Sequence, residues 1–174
     1  MNYVINHYCR QIGLEFDRDG EIARRGAICR PLLDELNGME FYHQSGPKSL
    51  GREWVETQVY PMLERYGLSL EDKLRTFYEH AAFQIFRIIN AHPSSAGNGK
   101  LLITGGGAFN KFLVERIEAL CPCQIVIPGR QIIEYKEALI FAFLGALYMA
   151  DEPGCLASVT GASMDNIGGM LFKV

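Results

Sequence analysis

The stretch LLITGGGAFNKFLVERI, residues 101–117, carries apolar, β-prone residues into three consecutive glycines and then into an amphipathic period. Glycine loses more conformational freedom on folding than any other residue, so three in a row at a strand-to-helix junction need a reason. One reason is a tight turn. The other is a ligand that must approach the backbone: absent side chains expose N–H groups, and the positive end of the following helix favours an anion. Leu101 to Thr104 reads as a short buried strand and Asn110 to Leu120 as a helix.

Working outward, QIVIP (124–128) is a second short strand. Ile133 to Ala150 is a helix apolar almost all round, expected to lie deep in the fold. Strand, helix, strand, helix in this order indicates an α/β fold with at least a parallel pair. Before the loop, Ser69 with Asp72 resembles a capping box, aspartate replacing the usual glutamate. Leu70, Leu74, Phe77, Ala81, Ile85 and Ile88 then mark one face of a helix reaching about Ala91. HPSSAGNGK, from His92, is a polar turn. Residues 52–66 have a helical period but contain Pro61, which predicts a break near Tyr60. Further upstream, 2–12, 19–27 and 30–36 read as short helices, with Asp17 capping the second, and Asn37 to Gly51 as a long loop.

The 174 residues suit one domain or one large lobe, and 48% hydrophobic with 21% charged residues is ordinary for a soluble packed core. A net charge of −3 without a basic stripe argues against nucleic acid. The longest apolar run, Ala138 to Ala150, is too short for a membrane span. MNYVINHYCRQIG lacks the parts of a signal peptide, so a cytoplasmic location is expected. Of the five cysteines only Cys121 and Cys123 are close, as CPC, and no second Cys/His pair supplies zinc spacing. Reduced cytosolic thiols are the expectation, and no metal site is foreseen.

Two familiar phosphate loops are excluded. GGGAFN is not GxGxxG, because position 110 is Asn and no acidic residue follows a strand about twenty residues on. GPKS at 46–49 looks like the end of a Walker loop, but Lys48 follows Pro47 and the first glycine is missing. An unrelated α/β enzyme such as a methyl transferase would put an acidic residue at the end of the next strand. QIVIP is instead followed by glycine and arginine.

LLITGGGAFNKFLVERI resembles the nucleotide-binding loop of the actin/hexokinase/Hsp70 superfamily, and the whole chain is similar to the C-terminal half of the anhydro-N-acetylmuramic acid kinase family. The shared marks are GLEFDRDGEIARRG, PKSLGRE (47–53), LLITGGGAFN, KEALIFAFLGAL (136–147) and SVTGA (158–162), in the family's order. The resemblance implies the C-terminal lobe of an actin-like (ribonuclease H-like) ATPase fold, a short mixed sheet flanked by several helices, with 1–174 as a single lobe. It implies ATP and Mg²⁺ as cofactors and transfer of the γ-phosphate to O6 of 1,6-anhydro-N-acetylmuramic acid, with hydrolytic opening of the anhydro ring during peptidoglycan recycling. In the family the catalytic aspartate precedes a Gly-Pro-x-Asn turn. Met1-Asn2-Tyr3 matches the end of that turn, with Asn2 at the Asn position, so the base is expected upstream of Met1. Glu15, Asp17, Asp19 and Glu21 fall in a segment that the family also has. The chain alone is therefore expected to be inactive, and either to self-associate or to bind an N-terminal lobe. The other reading is a solitary lobe that binds nucleotide or a partner without catalysis.

The resemblance makes Gly105, Gly106 and Gly107 nucleotide-binding, with Asn110 capping the next helix or touching the nucleotide. Glu137 is either a sugar-binding carboxylate or a first-turn acid facing the positive end of its helix. Lys48, Ser49 and Arg52 are a phosphate site or a loop brace, with Arg52 pairing to Glu53 or another carboxylate. Thr160 precedes Gly161 at an expected turn. His7, His43, His80 and His92 are unclustered, and His80 reads as a surface or hydrogen-bonded histidine rather than a catalytic one.

Overall fold

The computed structural model describes residues 1–45, 48–91, 99–170 and 172. The chain divides into two compact units, Met1–Pro128 and Gly129–Val174.

In the first unit α7 (Leu70–Ala91) is the central element, and α2 (Glu21–Arg25), α3 (Arg30–Asn37) and α8 (Lys111–Leu120) pack against it. Its stripe of Leu74, Phe77, Tyr78 and Ala82 is buried, with Leu70, Ala81 and Ile85 packed at the margin. Ile88, expected on the same face, is 62% exposed. The capping box is half formed. The Ser69 hydroxyl accepts the Asp72 N–H at 3.1 Å, but the Asp72 carboxylate turns away to accept the Ala27 N–H at 2.6 Å. That bond ties the end of α2 to the start of α7, where a Cβ on Gly26 would lie 2.1 Å from the Glu71 carbonyl oxygen. Only glycine permits this approach. Gly20 holds the N-cap position of α2, but Asp17 serves its first turn as expected, its two oxygens accepting the N–H groups of Ile22 (2.9 Å) and Ala23 (3.2 Å).

α1 (Asn2–Arg10) buries Val4, Ile5, Tyr8 and Cys9. Between α3 and Gly51 the sequence reads as loop, yet Glu40–His43 forms a one-turn helix, α4. The break expected at Tyr60 does not occur. Helical conformation runs from α5 (Arg52–Trp54) through a π turn (Val55–Val59) into α6 (Tyr60–Arg65). Pro61 lacks an N–H and its ring crowds the preceding turn; the turn widens there, and the Tyr60 N–H bonds the Val55 carbonyl five residues back.

β1 (Lys100–Leu102) and β2 (Gln124–Val126) pair in parallel, Leu101 opposite Ile125. The crossover between them is the glycine loop and α8. Among the described residues the sheet is this parallel pair, not the mixed sheet expected. The antiparallel contact is an isolated bridge in the second unit, where Cys155 and Asn166 exchange backbone bonds of 3.0 and 2.9 Å.

The second unit contains α9 (Arg130–Met149) and the one-turn α10 (Ala157–Thr160). The expectation that α9 lies deep is overturned: of its residues only Ile133 is buried, while Phe141 and Met149 are 71% and 74% exposed. A four-residue helix and one bridge offer too little surface to cover a helix of 20 residues. Uniform apolarity states a need for burial; it does not supply the covering element.

Candidate functional site

The site begins where β1 ends. Gly105 has φ +78° and ψ −177°, a region open essentially to glycine alone, and a Cβ placed there would meet nothing within 4 Å. Backbone conformation, not crowding, therefore demands glycine at this position. A 3₁₀ turn, Gly106–Phe109, follows, and its first bond runs from the Ala108 N–H to the Gly105 carbonyl at 3.0 Å. The N–H groups of Gly106 and Gly107 precede that bond and find no acceptor among the described residues.

Both glycines line an open groove of about 670 Å³. Met1, Asn2 and Tyr3 form one wall, Leu101 to Thr104 another, and Ile85, Leu113 and Ile117 add apolar surface. No carboxylate lines the groove among the described residues. A Cβ on Gly106 would stand 3.3 Å from the Asn2 amide nitrogen, and one on Gly107 3.4 Å from the Met1 methyl carbon. Unpaired backbone donors beside an open groove can receive an anion.

Asn110 is the N-cap of α8: its Oδ1 accepts the Leu113 N–H at 2.9 Å. Its amide nitrogen donates to the Tyr78 hydroxyl (2.6 Å) and the Asp17 carbonyl (3.3 Å). Of its two sequence readings, the cap is the one on display. Burial, with Asp17 nearby, raises the Tyr78 hydroxyl far above its ordinary pKa, so it stays protonated.

Lys48 and Arg52 both make intramolecular contacts. The Lys48 ammonium donates to the carbonyls of Phe41 (3.0 Å) and Tyr42 (3.4 Å), closing the end of α4. Arg52 pairs not with the adjacent Glu53 but with Glu56, at 2.7 Å. Ser49 is exposed. Glu56 also accepts from the Tyr3 hydroxyl at 2.6 Å. Tyr3 and Glu56 are absent from the sequence-based candidates; the four-residue spacing of Arg52 and Glu56 is the signal that reveals the pair.

Glu137 is exposed on α9. The helix starts at Arg130, so Glu137 lies beyond its first turn and the dipole-compensating role is withdrawn. Thr160 lies at the turn expected for it. Its hydroxyl donates to the Leu156 carbonyl at 3.0 Å, and Gly161 ends α10 in the left-handed conformation. His80 is buried, not at the surface, and bonds Asn37 Oδ1 (2.7 Å) through Nδ1 and the Tyr42 hydroxyl (3.1 Å) through Nε2. Desolvation lowers its pKa to about 4, so the ring is neutral near pH 7. His92 lies outside the described residues. No helix among those residues is long and apolar enough to cross a membrane.

A parallel strand pair joined by a glycine turn and a side-chain-capped helix defines a mixed, mostly helical α/β protein. Compared with models of known families, residues 1–174 match that of anhydro-N-acetylmuramic acid kinase along their whole length. The chain belongs to this family, whose members are kinases of amino-sugar recycling.

Proposed function

We propose that the chain is the ATP-binding lobe of a kinase that phosphorylates 1,6-anhydro-N-acetylmuramic acid at O6 while water opens the anhydro ring. Both units would together form that lobe, in an actin-like fold, working in the cytoplasm. The observation that carries the reading is the pair of unpaired N–H groups at Gly106 and Gly107 beside an open groove, in a chain that matches the family throughout. Backbone donors held in place by a capped helix need no reorganisation as charge develops on a transferring phosphoryl group. Asn110 contributes by fixing that helix to the loop. ATP with Mg²⁺ is the expected nucleotide form, because phosphoryl transfer needs its oxygens neutralised. Glu137 is proposed to accept hydrogen bonds from sugar hydroxyls.

Among the described residues the groove offers no carboxylate to take the proton of an attacking group, and the catalytic base is proposed to come from another segment. The same observation favours a second reading, a solitary lobe that binds nucleotide or a partner without catalysis. Calorimetry with MgATP tests the binding claim. Incubation with ATP and the anhydro-sugar, with and without an N-terminal lobe of a family member, tests the rest. Binding alone, with turnover only in the mixture, is the expected result. Absence of nucleotide binding in both would overturn the function.

A further inference from the structure

Arg52 and Glu56 stand four residues apart on one helical face, and the Arg52 Nε donates to Glu56 Oε1 at 2.7 Å. An exposed pair at this spacing ordinarily adds little to stability. Here a third group shares the carboxylate oxygen: the Tyr3 hydroxyl, 53 positions away in sequence, donates to the same Oε1 at 2.6 Å. The Arg52 guanidinium also lies over the Tyr3 ring, 5.4 Å from its centroid, and the ring of Tyr60 stacks on Tyr3 at 6.2 Å. Tyr3 is thus held on three sides.

Tyr3 sits in the first turn of α1, which has neither a side-chain cap nor an acidic residue to steady it. Backbone bonds from Val4 (3.0 Å) and Ile5 (3.4 Å) to the Met1 carbonyl close that turn. The neighbouring Asn2 lines the wall of the groove, its amide nitrogen 3.3 Å from the position a Cβ would take on Gly106. Release of Tyr3 would leave that amide without a fixed position.

We propose that Arg52 and Glu56 are positioning residues for the glycine-loop site: acting through Tyr3, they hold the Asn2 amide beside the Gly106 and Gly107 N–H groups as a third donor for the phosphates of a nucleoside triphosphate. The inference rests on the nucleotide reading above. It gives the PKSLGRE segment a part in binding without any contact of its own with the ligand.

The test is calorimetric titration of the chain with MgATP, for Glu56→Ala, Glu56→Gln, Asn2→Ala and the double variant Glu56→Ala/Asn2→Ala. Amide exchange at Val4 and Ile5 is followed in parallel. Glu56→Ala should raise Kd about fivefold, roughly the worth of one hydrogen bond. It should also speed exchange at both amides. Glu56→Gln still accepts from Tyr3 and should recover most of the affinity. The double variant should bind no more weakly than Asn2→Ala alone, since both changes act on one donor. Unchanged affinity in Glu56→Ala, unchanged exchange, or losses that multiply in the double variant would overturn the proposal. Gly106→Val separates the two claims. If it too binds normally, the nucleotide reading fails and this proposal with it; if it loses binding while Glu56→Ala does not, the proposal alone fails.

Discussion

Asn110 donates an amide hydrogen to the Tyr78 hydroxyl across 2.6 Å while its oxygen accepts the Leu113 N–H at 2.9 Å. One side chain therefore joins the end of the glycine loop to both α8 and the central helix α7. Loss of a cap costs about 1 kcal/mol, and loss of the hydrogen bond to the Tyr78 hydroxyl adds about 0.5–1.5 kcal/mol. Asn110→Ala should lower the melting temperature by on the order of 5–10 °C. Asn110→Asp keeps the cap acceptor and should lose less. Equal losses in thermal denaturation would mean that the cap contributes nothing.

The hand-over from strand to helix is legible in LLITGGGAFNKF because its signals are local: β-prone residues, glycines, then a cap residue three before the N–H it receives. Asp17 and Ser69 are legible for the same reason. What escapes is set by partners distant in sequence. Tyr3 meets Glu56 across 53 positions, and no spacing rule encodes that contact. Pro61 correctly signals trouble for its helix, but the chain answers with a π turn rather than a break. The depth assigned to α9 fails because apolarity around a helix does not name what covers it.

The glycines should separate folding from binding. Gly105→Ala forces a side chain into a region that only glycine occupies freely, at a cost of about 1–3 kcal/mol, and its Cβ has open space. A Cβ at Gly106 would meet only the Asn2 amide nitrogen, at 3.3 Å and with no backbone in contact, so in Gly106→Val the fold should survive while MgATP affinity falls. Denaturation and calorimetry on both variants check this. Equal nucleotide binding before and after Gly106→Val would return the loop to a purely structural turn.

His80 predicts an acid-sensitive stability. Its folded pKa, lowered by burial to about 4, lies below the ordinary histidine value of about 6.5. Between those values the unfolded chain binds a proton that the folded chain refuses, so stability falls as pH falls through this window. The loss should be about 2 kcal/mol between pH 7 and pH 5. Glu35 and Glu64, whose carboxyls are held below their ordinary range by Arg65 and Lys73 respectively, lose their contribution only at lower pH. Urea unfolding of the unaltered chain and of His80→Gln at the two pH values isolates the effect. A variant whose stability drops as much as the original would exonerate the histidine.

Glu137 should affect sugar rather than fold. The side chain is exposed and stands past the first turn of α9, so Glu137→Gln should change stability by less than about 0.5 kcal/mol. With an N-terminal lobe supplied, turnover of the anhydro-sugar should fall while MgATP affinity holds. A marked drop in melting temperature with unchanged turnover would move the carboxylate to a structural role.

Tyr135, Leu139 and Phe143 recur at four-residue spacing along α9 and are 65%, 61% and 60% exposed, so they form one apolar stripe. Exposed apolar surface larger than a few hundred Å² is uncommon on stable monomers. The isolated chain should therefore self-associate, or bind a separately expressed N-terminal lobe and gain kinase activity only then. Sedimentation across a range of concentrations should show a rising mean mass. Leu139→Glu with Phe143→Glu should abolish the rise, because two carboxylates cannot be buried unpaired. Mixing the chain with the second lobe, ATP and anhydro-sugar tests the other branch. A concentration-independent monomer that phosphorylates the sugar unaided would sink both branches, since a base would then have to lie among residues to which only structural contacts are assigned.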